Sequence, residues 1–372
     1  MTRILICANN IDEIGGAQRV VHLVAGGLQA RGHQVDLVGI APFEPRHDFA
    51  STCPKTVLMS KPWPAKSAQT DRARSQLRAQ AVSGMVELLK GAEHPSVIIT
   101  AQVWAMEIVG DALSTLAPAA RARWSVIGQY HGSFAAAASG RDLARILRSY
   151  ASVSVFTALT EEDADAFTRT GLNNVRVMPN PLAFWPEHPT DRATVDSRSL
   201  LYLGRLSHEK GVDLLVDAWS LIADRHPTWD LHVVGDGPQE GELRAQARGL
   251  AGADRIEWRG PTGEPQATLM DSDLVVLPSR TEGLPLVLAE ALACARPVVA
   301  TDCSSGVRQL VGDAGTLVPR GDSRALATAL DEAMADAQWR RDRGSRGRVQ
   351  MQRYRLDPIL DDWERLIERV LL

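Results

Sequence analysis

The sequence predicts an α/β protein with doubly wound parallel sheets, and three observations predict it. Short β-branched or aliphatic runs alternate along the chain with longer helical patterns, as in repeated strand–helix units. Most of these runs are apolar throughout, which is typical of strands buried on both faces of a parallel sheet. The chain of 372 residues is too long for one typical core, so two domains are expected.

Runs with strand character occur in both halves of the chain. In the first half they are Arg3–Ala8, Gln34–Ile40, Val97–Thr100, Ser125–Tyr130, Ser152–Thr157 and Val175–Met178. In the second half they are Ser199–Leu203, Leu231–Val234, Arg255–Trp258, Leu274–Leu277 and Pro297–Ala300. The clearest helical patterns between them are Gly16–Arg31, Asp213–Arg225 and Leu286–Ala295.

A proline-rich segment separates the two halves. Residues 180–189 contain three prolines, and a polar stretch continues to Ser199. We therefore predict a first domain over residues 1–182, a linker over 183–198 and a second domain over 199–357. Residues 358–372 are predicted to form a last amphipathic helix, because their apolar side chains recur at helical spacing.

Composition and charge narrow the function classes. The net charge of −4, with interspersed signs, argues against bulk nucleic-acid binding. The four cysteines form no Cys-x-x-Cys pair and fit a reducing compartment. The N-terminus does not resemble a signal peptide, and no apolar run is long enough to span a bilayer. We expect a cytoplasmic protein, with any membrane contact peripheral.

A pair of glycines, Gly15 and Gly16, lies between the first strand and the first helix. Glycines let a backbone approach a ligand closely, and the free N–H groups at a helix start favour anions. An ordinary glycine turn explains the pair equally well. It is not the Gly-x-Gly-x-x-Gly dinucleotide fingerprint.

A second cluster follows the first strand of the second half. Arg205 and Lys210 lie on one strand-to-helix connection, which ends at Gly211. Arginine can grip phosphate oxygens through two bonds, and lysine acts as a compact point charge. Ligands of open α/β sheets bind beyond the carboxyl ends of strands, where this connection lies. Two solvated surface cations are the alternative.

A third cluster, Pro278–Glu290, joins the strand Leu274–Leu277 to a helix opening near Pro285. The N–H groups around Gly283, Leu284, Leu286 and Val287 can hold a phosphate or sugar hydroxyls, whereas Pro285 has no N–H to donate. Glu290 lies in an otherwise apolar helix, where a carboxylate is costly without a partner. A carboxylate suits a ribose diol, and a structural salt bridge is the alternative.

Together these residues resemble family four retaining glycosyltransferases. The resemblance rests on Gly15-Gly16, Gly204-Arg205-Leu206, Lys210-Gly211, Val234-Gly235-Asp236-Gly237-Pro238, and Glu282 with Glu290. It extends from Arg3 to about Val318, and the motifs are specific in combination rather than singly.

The resemblance implies the GT-B fold, in which two Rossmann-like domains face each other across a cleft. It implies that the second domain holds the donor, a nucleoside diphosphate sugar, and the first the acceptor. The last helix would cross back onto the first domain. The family uses no metal site of the Asp-x-Asp type, so no cofactor or required metal is expected.

The resemblance also implies roles for single residues. Arg205 and Lys210 would neutralise the donor diphosphate, Glu290 would bind the ribose, and the Glu282–Leu286 loop would hold the donor sugar. His131, after the strand Ser125–Tyr130, would reach the sugar from the first domain; a structural histidine is the alternative. Arg259 is a weaker candidate beside the nucleotide base.

Several conspicuous strings are interpreted as structural. Asp271-Ser272-Asp273 has the Asp-x-Asp form of metal-dependent transferases, but it precedes a buried strand and is interpreted as a helix end. Gly235-Asp236-Gly237-Pro238 is explained by a tight turn. Arg141, Arg145 and Arg148 share one helix face and are interpreted as solvated, although such faces can meet anionic lipid or a polyanionic acceptor.

Two other functions stay open at this point. The same fold supports nucleotide-sugar epimerases, and a catalytically silent subunit could bind a nucleotide sugar without turnover. The sequence does not specify the base, the sugar or the acceptor. UDP- and GDP-linked sugars are the favoured donors. The acceptor could be a glycan, a lipid-linked intermediate or a small natural product.

Overall fold

The computed structural model describes residues 1–44, 47–49, 51–67, 70–140, 142–189 and 198–372. The chain divides into two compact units. The first comprises Met1–Ala183 together with Leu356–Leu372, and the second comprises Phe184–Arg355.

The first unit is a parallel sheet flanked by helices. Its strands are β1 Arg3–Ala8, β2 Gln34–Gly39, β3 Lys55–Val57, β4 Ser96–Thr100, β5 Trp124–Gln129, β6 Val155–Ala158 and β7 Val175–Val177. Its helices are α1 Gly16–Ala30, α2 Asp71–Lys90, α3 Val103–Thr115, α4 Pro118–Arg121, α5 Phe134–Ser139, α6 Asp142–Ser149 and α7 Glu161–Arg169. The strand order is β3-β2-β1-β4-β5-β6-β7, and all pairs are parallel.

The second unit repeats this architecture. Its strands are β8 Arg198–Leu203, β9 Trp229–Val234, β10 Ile256–Gly260, β11 Leu274–Leu277, β12 Val298–Thr301 and β13 Gly315–Val318. Its helices are α8 Val212–Ile222, α9 Glu240–Ala247, α10 Pro265–Met270, α11 Leu286–Ala293, α12 Ser305–Val311, α13 Ser323–Ala335 and α14 Ala337–Met351. The strand order is β10-β9-β8-β11-β12-β13, again parallel throughout.

Burial explains why the central runs form strands. Every residue of β4, β6, β11 and β12 is buried, so both faces of these strands are covered. In both sheets the first and fourth strands in chain order are neighbours, and the connections leave them in opposite directions. At such a switch point the loops beyond the carboxyl ends leave a crevice where ligands of doubly wound sheets bind.

The last helix, α15 Leu356–Leu371, belongs to the first unit. It packs against α1, where a Cβ added to Gly27 would lie 2.5 Å from Leu360. Arg31 donates to Asp361 at 2.6 Å and to Glu364 at 2.7 Å. Trp363 is only 1% exposed. The helix therefore covers apolar surface that α1 and the sheet would otherwise expose to water.

The predicted fold class is confirmed, with local differences. The sequence missed β3 and β13, and it placed the start of the last helix at Pro358 rather than Leu356. The predicted linker 183–198 is partly packed: Trp185 lies under the Arg348 guanidinium, 4.3 Å from the ring centroid, within the second unit. Residues 190–197 of that linker lie outside the described residues. In the described part of the chain, no helix combines the length and apolarity required to cross a bilayer.

Candidate active site

Two loops meet at the switch point of the second sheet. One follows β8 and runs from Gly204 to Gly211, and the other follows β11 and runs from Pro278 to Pro285. Because β8 and β11 are hydrogen-bonded neighbours, their loops emerge side by side at one edge of the sheet. This edge brings together Arg205, Lys210, Glu282 and Gly283.

The close approach of the loops depends on Gly211. Its φ of +64° is left-handed, and an added Cβ would lie 2.2 Å from the carbonyl oxygen of Pro278. A side chain at this position would therefore push the two loops apart. The glycine ends a short 3-10 turn over His208–Lys210 and precedes α8.

Lys210 and Glu282 join the loops chemically. The Lys210 Nζ lies 2.7 Å from Glu282 Oε1, which also accepts from the Ser279 hydroxyl at 2.7 Å. The Lys210 side chain is 27% exposed and that of Glu282 is 8% exposed. A partly exposed ammonium therefore stands against a nearly buried carboxylate at the mouth of the crevice.

Arg205 is exposed on the same loop. Its carbonyl oxygen accepts from the Tyr202 hydroxyl at 2.7 Å, which fixes the backbone there. Burial of the Glu209 carboxyl raises its pKa, but the Ser207 hydroxyl and the charges of Lys210 and Arg205 outweigh burial and hold the pKa below its usual range. Both cations therefore act electrostatically on one small region of the β8 loop.

The start of α11 presents backbone amides at the same edge. The helix begins at Leu286. Pro285, which the sequence placed near the helix opening, is the N-cap and precedes the first helical turn. The first N–H groups of a helix have no acceptor within it, so those of Leu286 and Val287 are available for an anion. The Gly283 carbonyl accepts from the Ser304 hydroxyl at 3.2 Å, and Leu284 is buried.

Glu290 lies on α11 and is completely buried. The role predicted for it, binding of a ribose diol, stays a prediction. Cys303, after β12, is also buried near the site, and burial together with the charge of Glu282 raises its pKa to about 11. The thiol therefore stays protonated at neutral pH and is a poor nucleophile.

Arg280 and Asp213 are the residues of this site that sequence reasoning missed. Arg280 donates to both carboxylate oxygens of Asp213, at 2.7 and 2.6 Å. The two residues are 67 positions apart, and neither has a distinctive pattern around it. Two features of the sequence could have indicated the pair. Asp213 is an acid just after Lys210-Gly211, and Arg280 is an arginine just before Glu282. The two connections that they adjoin were expected at one edge of the sheet.

His131 follows β5 in the first unit. Its Nδ1 lies 3.1 Å from Asn180 Oδ1, so Nδ1 carries the proton and Nε2 is the acceptor. Nε2 is buried and has no hydrogen-bond partner among the described residues. Burial lowers the pKa of His131 to about 4, against the opposing effect of the bond to Asn180. The ring is therefore neutral at pH 7, with an unused acceptor.

Gly15 and Gly16 lie at the start of α1, as predicted. Gly15 is the N-cap with an extended φ of −153°, and Gly16 is the first helical residue. They belong to the first unit, with His131, and lie just beyond the carboxyl end of β1. This is the edge where β1 and β4 form the switch point of the first sheet.

Arg259 lies on the edge strand β10, two strands away from β8. Its guanidinium bonds Glu257 Oε2 at 2.6 Å and the ring of His232 at 3.0 Å. Ligand atoms of Asp230, His232 and Glu257 lie within 4.8 Å of one another, a spacing that could suit a metal ion. The arginine charge beside two of these three groups opposes a cation there.

The discounted strings have structural roles. Asp271 is the C-cap of α10, and Asp273 accepts from the Ser199 amide at 2.9 Å and from Arg198 at 3.1 Å. Gly235 has a φ of +139° and sits against the Gly204 carbonyl oxygen, 1.9 Å from an added Cβ. These residues fix the edge of the sheet rather than form a second site.

The basic face on α6 is partly neutralised. Arg145 donates to both carboxylate oxygens of Glu107, at 3.0 and 3.1 Å. Arg148 is exposed, 3.9 Å from the same carboxylate. Arg141 lies outside the described residues.

Comparison with known proteins decides the family. The model for group 1 glycosyl transferases matches residues 197–336, and the model for glycosyltransferase family 4 matches residues 14–183. The chain belongs to the family 4, group 1 glycosyltransferases. The two matches fall in the second and the first unit, respectively, and the enzyme is thus a glycosyltransferase.

Individual relatives agree with this assignment. A glycosyltransferase of Haemophilus influenzae is 25% identical over 96% of this chain and 98% of its own length. The amylovoran biosynthesis glycosyltransferase AmsD of Erwinia amylovora is 28% identical over 56% of this chain and 60% of its own. Among solved structures, HepE of Anabaena in complex with UDP and glucose has a TM-score of 0.78 at 20% identity, over 98% of this chain and 99% of its own. The last comparison shows the shared fold.

Proposed function

We propose that this glycosyltransferase moves a hexosyl group from a UDP- or GDP-type sugar donor to an acceptor, with retention of the donor's anomeric configuration. The observation that carries the donor assignment is the 2.7 Å contact between Lys210 Nζ and Glu282 Oε1. It sets a cation of the β8 loop beside the amide-rich start of α11. The bound UDP of the structural relative HepE supports the same class of donor.

The donor diphosphate would lie between the two loops. Lys210 and Arg205 supply positive charge, and the amides at Gly283, Leu286 and Val287 supply hydrogen bonds. These groups stabilise the negative charge that grows on the departing nucleoside diphosphate. Because the charge of Lys210 is balanced by Glu282 before the donor arrives, an incoming diphosphate would share the ammonium with that carboxylate.

The remaining contacts divide between the nucleoside and the sugar. Glu290 would accept the ribose hydroxyls, and Arg259 would lie toward the base. The segment Glu282–Leu286 would hold the donor sugar. From the first unit, Gly15 and Gly16 would approach the donor through their backbone. His131, neutral with a free Nε2, would accept a hydrogen bond from a sugar hydroxyl.

The chemistry proposed needs neither a metal nor a covalent intermediate. Protein cations and helix amides take the place of a metal ion at the leaving group, so the activity should survive chelation by EDTA. No residue among those at the site is assigned as a nucleophile, Glu282 included. The acceptor would attack from the side on which the diphosphate departs, and the leaving group would help take the acceptor proton.

We propose a cell-envelope glycan, a lipid-linked intermediate or a small natural product as acceptor. The relative AmsD, named for amylovoran biosynthesis, supports the first of these. The reaction would take place in the cytoplasm, and a lipid-linked acceptor would require only peripheral contact with the inner face of the membrane.

A donor screen followed by product analysis tests the proposal. The purified chain is heated with UDP, GDP and their sugars, and a ligand at a hundred times its dissociation constant should add about 2.7 kcal/mol of stability. The stabilising donor is then supplied with candidate acceptors, and NMR reads the anomeric configuration of the product. Inversion would refute the proposed stereochemistry. Release of an epimer without acceptor would favour an epimerase, and binding without turnover would favour a silent subunit.

A further inference from the structure

Arg280 ties together the two loops that form the candidate donor site. Its guanidinium donates to both oxygens of Asp213, at 2.7 and 2.6 Å, and to the His208 carbonyl at 2.9 Å. Its backbone N–H donates to the Glu209 carbonyl at 2.7 Å. One residue of the β11 loop thus holds the β8 loop through two carbonyls and the first turn of α8 through a carboxylate.

The pair is fixed rather than loosely solvated. The side chains of Arg280 and Asp213 are 25% and 33% exposed. Burial raises the pKa of Asp213, but its bonds with Arg280 and with backbone amides outweigh burial and hold the pKa below its usual range. The pair therefore stays ionised at neutral pH, and a two-bond arginine–carboxylate contact restricts orientation more than a single bond does.

These contacts hold the Arg280 guanidinium within the protein through three of its five N–H groups. Both of its terminal nitrogens are engaged within the protein, in contrast to the exposed Arg205. Its main effect on a donor is therefore expected to act through neighbouring residues. Asp213 comes three residues after Lys210, and Arg280 comes two residues before Glu282.

Those spacings place the pair next to the groups that would meet the diphosphate. The Arg280–Asp213 bonds and the close approach of Gly211 to Pro278 fix the position of the β8 loop relative to the β11 loop. In the same arrangement Lys210 Nζ lies 2.7 Å from Glu282 Oε1, one residue before Gly283.

We propose that Arg280 and Asp213 are positioning residues of the donor site, which hold Lys210 and the Gly283 amide in register before a diphosphate binds. This role rests on the proposed function: within the donor site, the Arg280–Asp213 pair would determine the affinity for the second phosphate. Groups held in place beforehand need no ordering when the ligand binds, so a preorganised site binds more tightly. Without the pair, each binding event would have to order both loops.

The test compares a nucleoside diphosphate with its monophosphate. Dissociation constants of UDP and UMP, and of GDP and GMP, are measured by calorimetry for the wild type and for R280A, R280K and D213N. We expect R280A and D213N to weaken binding of the diphosphate at least tenfold and binding of the monophosphate less than twofold. R280K keeps the charge but loses the two-bond geometry, so its effect should be intermediate.

R225A is the matched control. Arg225 forms an ion pair with Asp331 at 2.5 Å in the same unit, just before β9 and therefore at the opposite end of the strands. R225A should leave the constants of both the diphosphate and the monophosphate unchanged. Circular dichroism and thermal unfolding establish that each variant is folded, and D213N decides the matter if R280A does not fold.

The outcomes separate this inference from the proposed function. Binding of neither UDP nor GDP to the wild type would refute the proposed donor. Suppose that the wild type binds one of the diphosphates. If R280A and D213N then prefer that diphosphate over its monophosphate as strongly as the wild type does, the positioning role alone is overturned. Equal weakening of both nucleotides would also overturn it, because that is the signature of general structural damage.

Discussion

At the residue scale, Lys210 is the cation whose surroundings the structure defines most closely. Its ammonium is partly exposed, bonded to Glu282 and placed beside the start of α11. Removing one preorganised group that stabilises a departing charge typically costs about a hundred- to a thousand-fold in rate. We therefore expect K210A, and likewise R205A, to lose most of the kcat while the fold persists.

Steady-state kinetics with the donor found by screening and its acceptor measure this loss. K90A is a suitable control, because Lys90 is also a lysine paired with a glutamate, Glu87 at 2.8 Å, but is exposed on α2. Turnover near the wild-type rate in either K210A or R205A would refute the proposed role of that residue.

His131 leads to a prediction about pH. Its pKa lies at about 4 in the folded protein and near 6.5 when unfolded, so between these values the unfolded chain binds more protons. Stability from this group is complete above pH 6.5 and declines as the pH falls toward 4, by about 3 kcal/mol in all. H131N should lose less stability between pH 7 and pH 4.5 than the wild type.

Denaturant titrations at the two pH values measure that difference. H94N, at an exposed position of the same unit, should keep the wild-type pH dependence. An H131N protein with the full wild-type loss of stability would contradict burial of a neutral imidazole at this position.

Sequence reasoning located part of the candidate site residue by residue. Lys210, Glu282 and Gly283 could be expected together, because the carboxyl ends of neighbouring parallel strands share an edge. The bond from Arg280 to Asp213 could not, since two common charged residues, one on a loop and one in the first turn of a helix, form no pattern in sequence. The Asn180 partner of His131 was missed for a similar reason: it lies in the proline-rich segment 180–189, where composition predicts no tertiary contact.

At the scale of elements, the β8 loop depends on Gly211. We expect G211A to destabilise the protein by about 1–3 kcal/mol or more, because alanine is strained at this left-handed φ and its Cβ would clash with the Pro278 carbonyl. Denaturant unfolding measures the stability, and donor affinity should fall with it since the loops must separate.

Gly241 supplies the control for this substitution. It lies in α9, and nothing comes within 4 Å of an added Cβ. G241A should be neutral or stabilising by about 0.5–1 kcal/mol, as expected for alanine in a helix. Equal stability of G211A and the wild type would show that the loops do not approach as closely as described.

The central strands that were predicted from the sequence differ in burial from the two strands that were missed. The central strands are apolar throughout because both their faces are covered, and that continuity is visible in sequence. The strand β3 has two exposed residues and one half-buried residue, and β13 begins with a glycine and is mostly half-buried. The edge strand β7 is half-buried as well, but it was predicted because its valines continue into an apolar run, Val175–Met178.

At the scale of the whole molecule, the chain returns to its first unit through α15. Trp363 is 1% exposed, and truncating such a side chain leaves a cavity that costs about 3–5 kcal/mol. We expect W363A to lower the unfolding temperature of the first unit by calorimetry. E368A, exposed on the same helix, should have no such effect, and an unchanged transition in W363A would contradict the packing described.

The two sheets share the order of six strands, and the first sheet has a seventh strand, β7, at its edge. Each has its switch point between its first and fourth strands, and each has candidate site residues at that edge. The family assignment makes the chain a glycosyltransferase, and the second sheet supplies the charges and amides for the proposed diphosphate.

The most direct measurement is a crystal structure of the chain with UDP or GDP, whichever stabilises it in the donor screen. We predict that the β-phosphate lies within hydrogen-bond distance of Lys210 Nζ and of backbone N–H groups between Gly283 and Val287. A nucleotide whose phosphates bind elsewhere, with Lys210 paired only to Glu282, would contradict it.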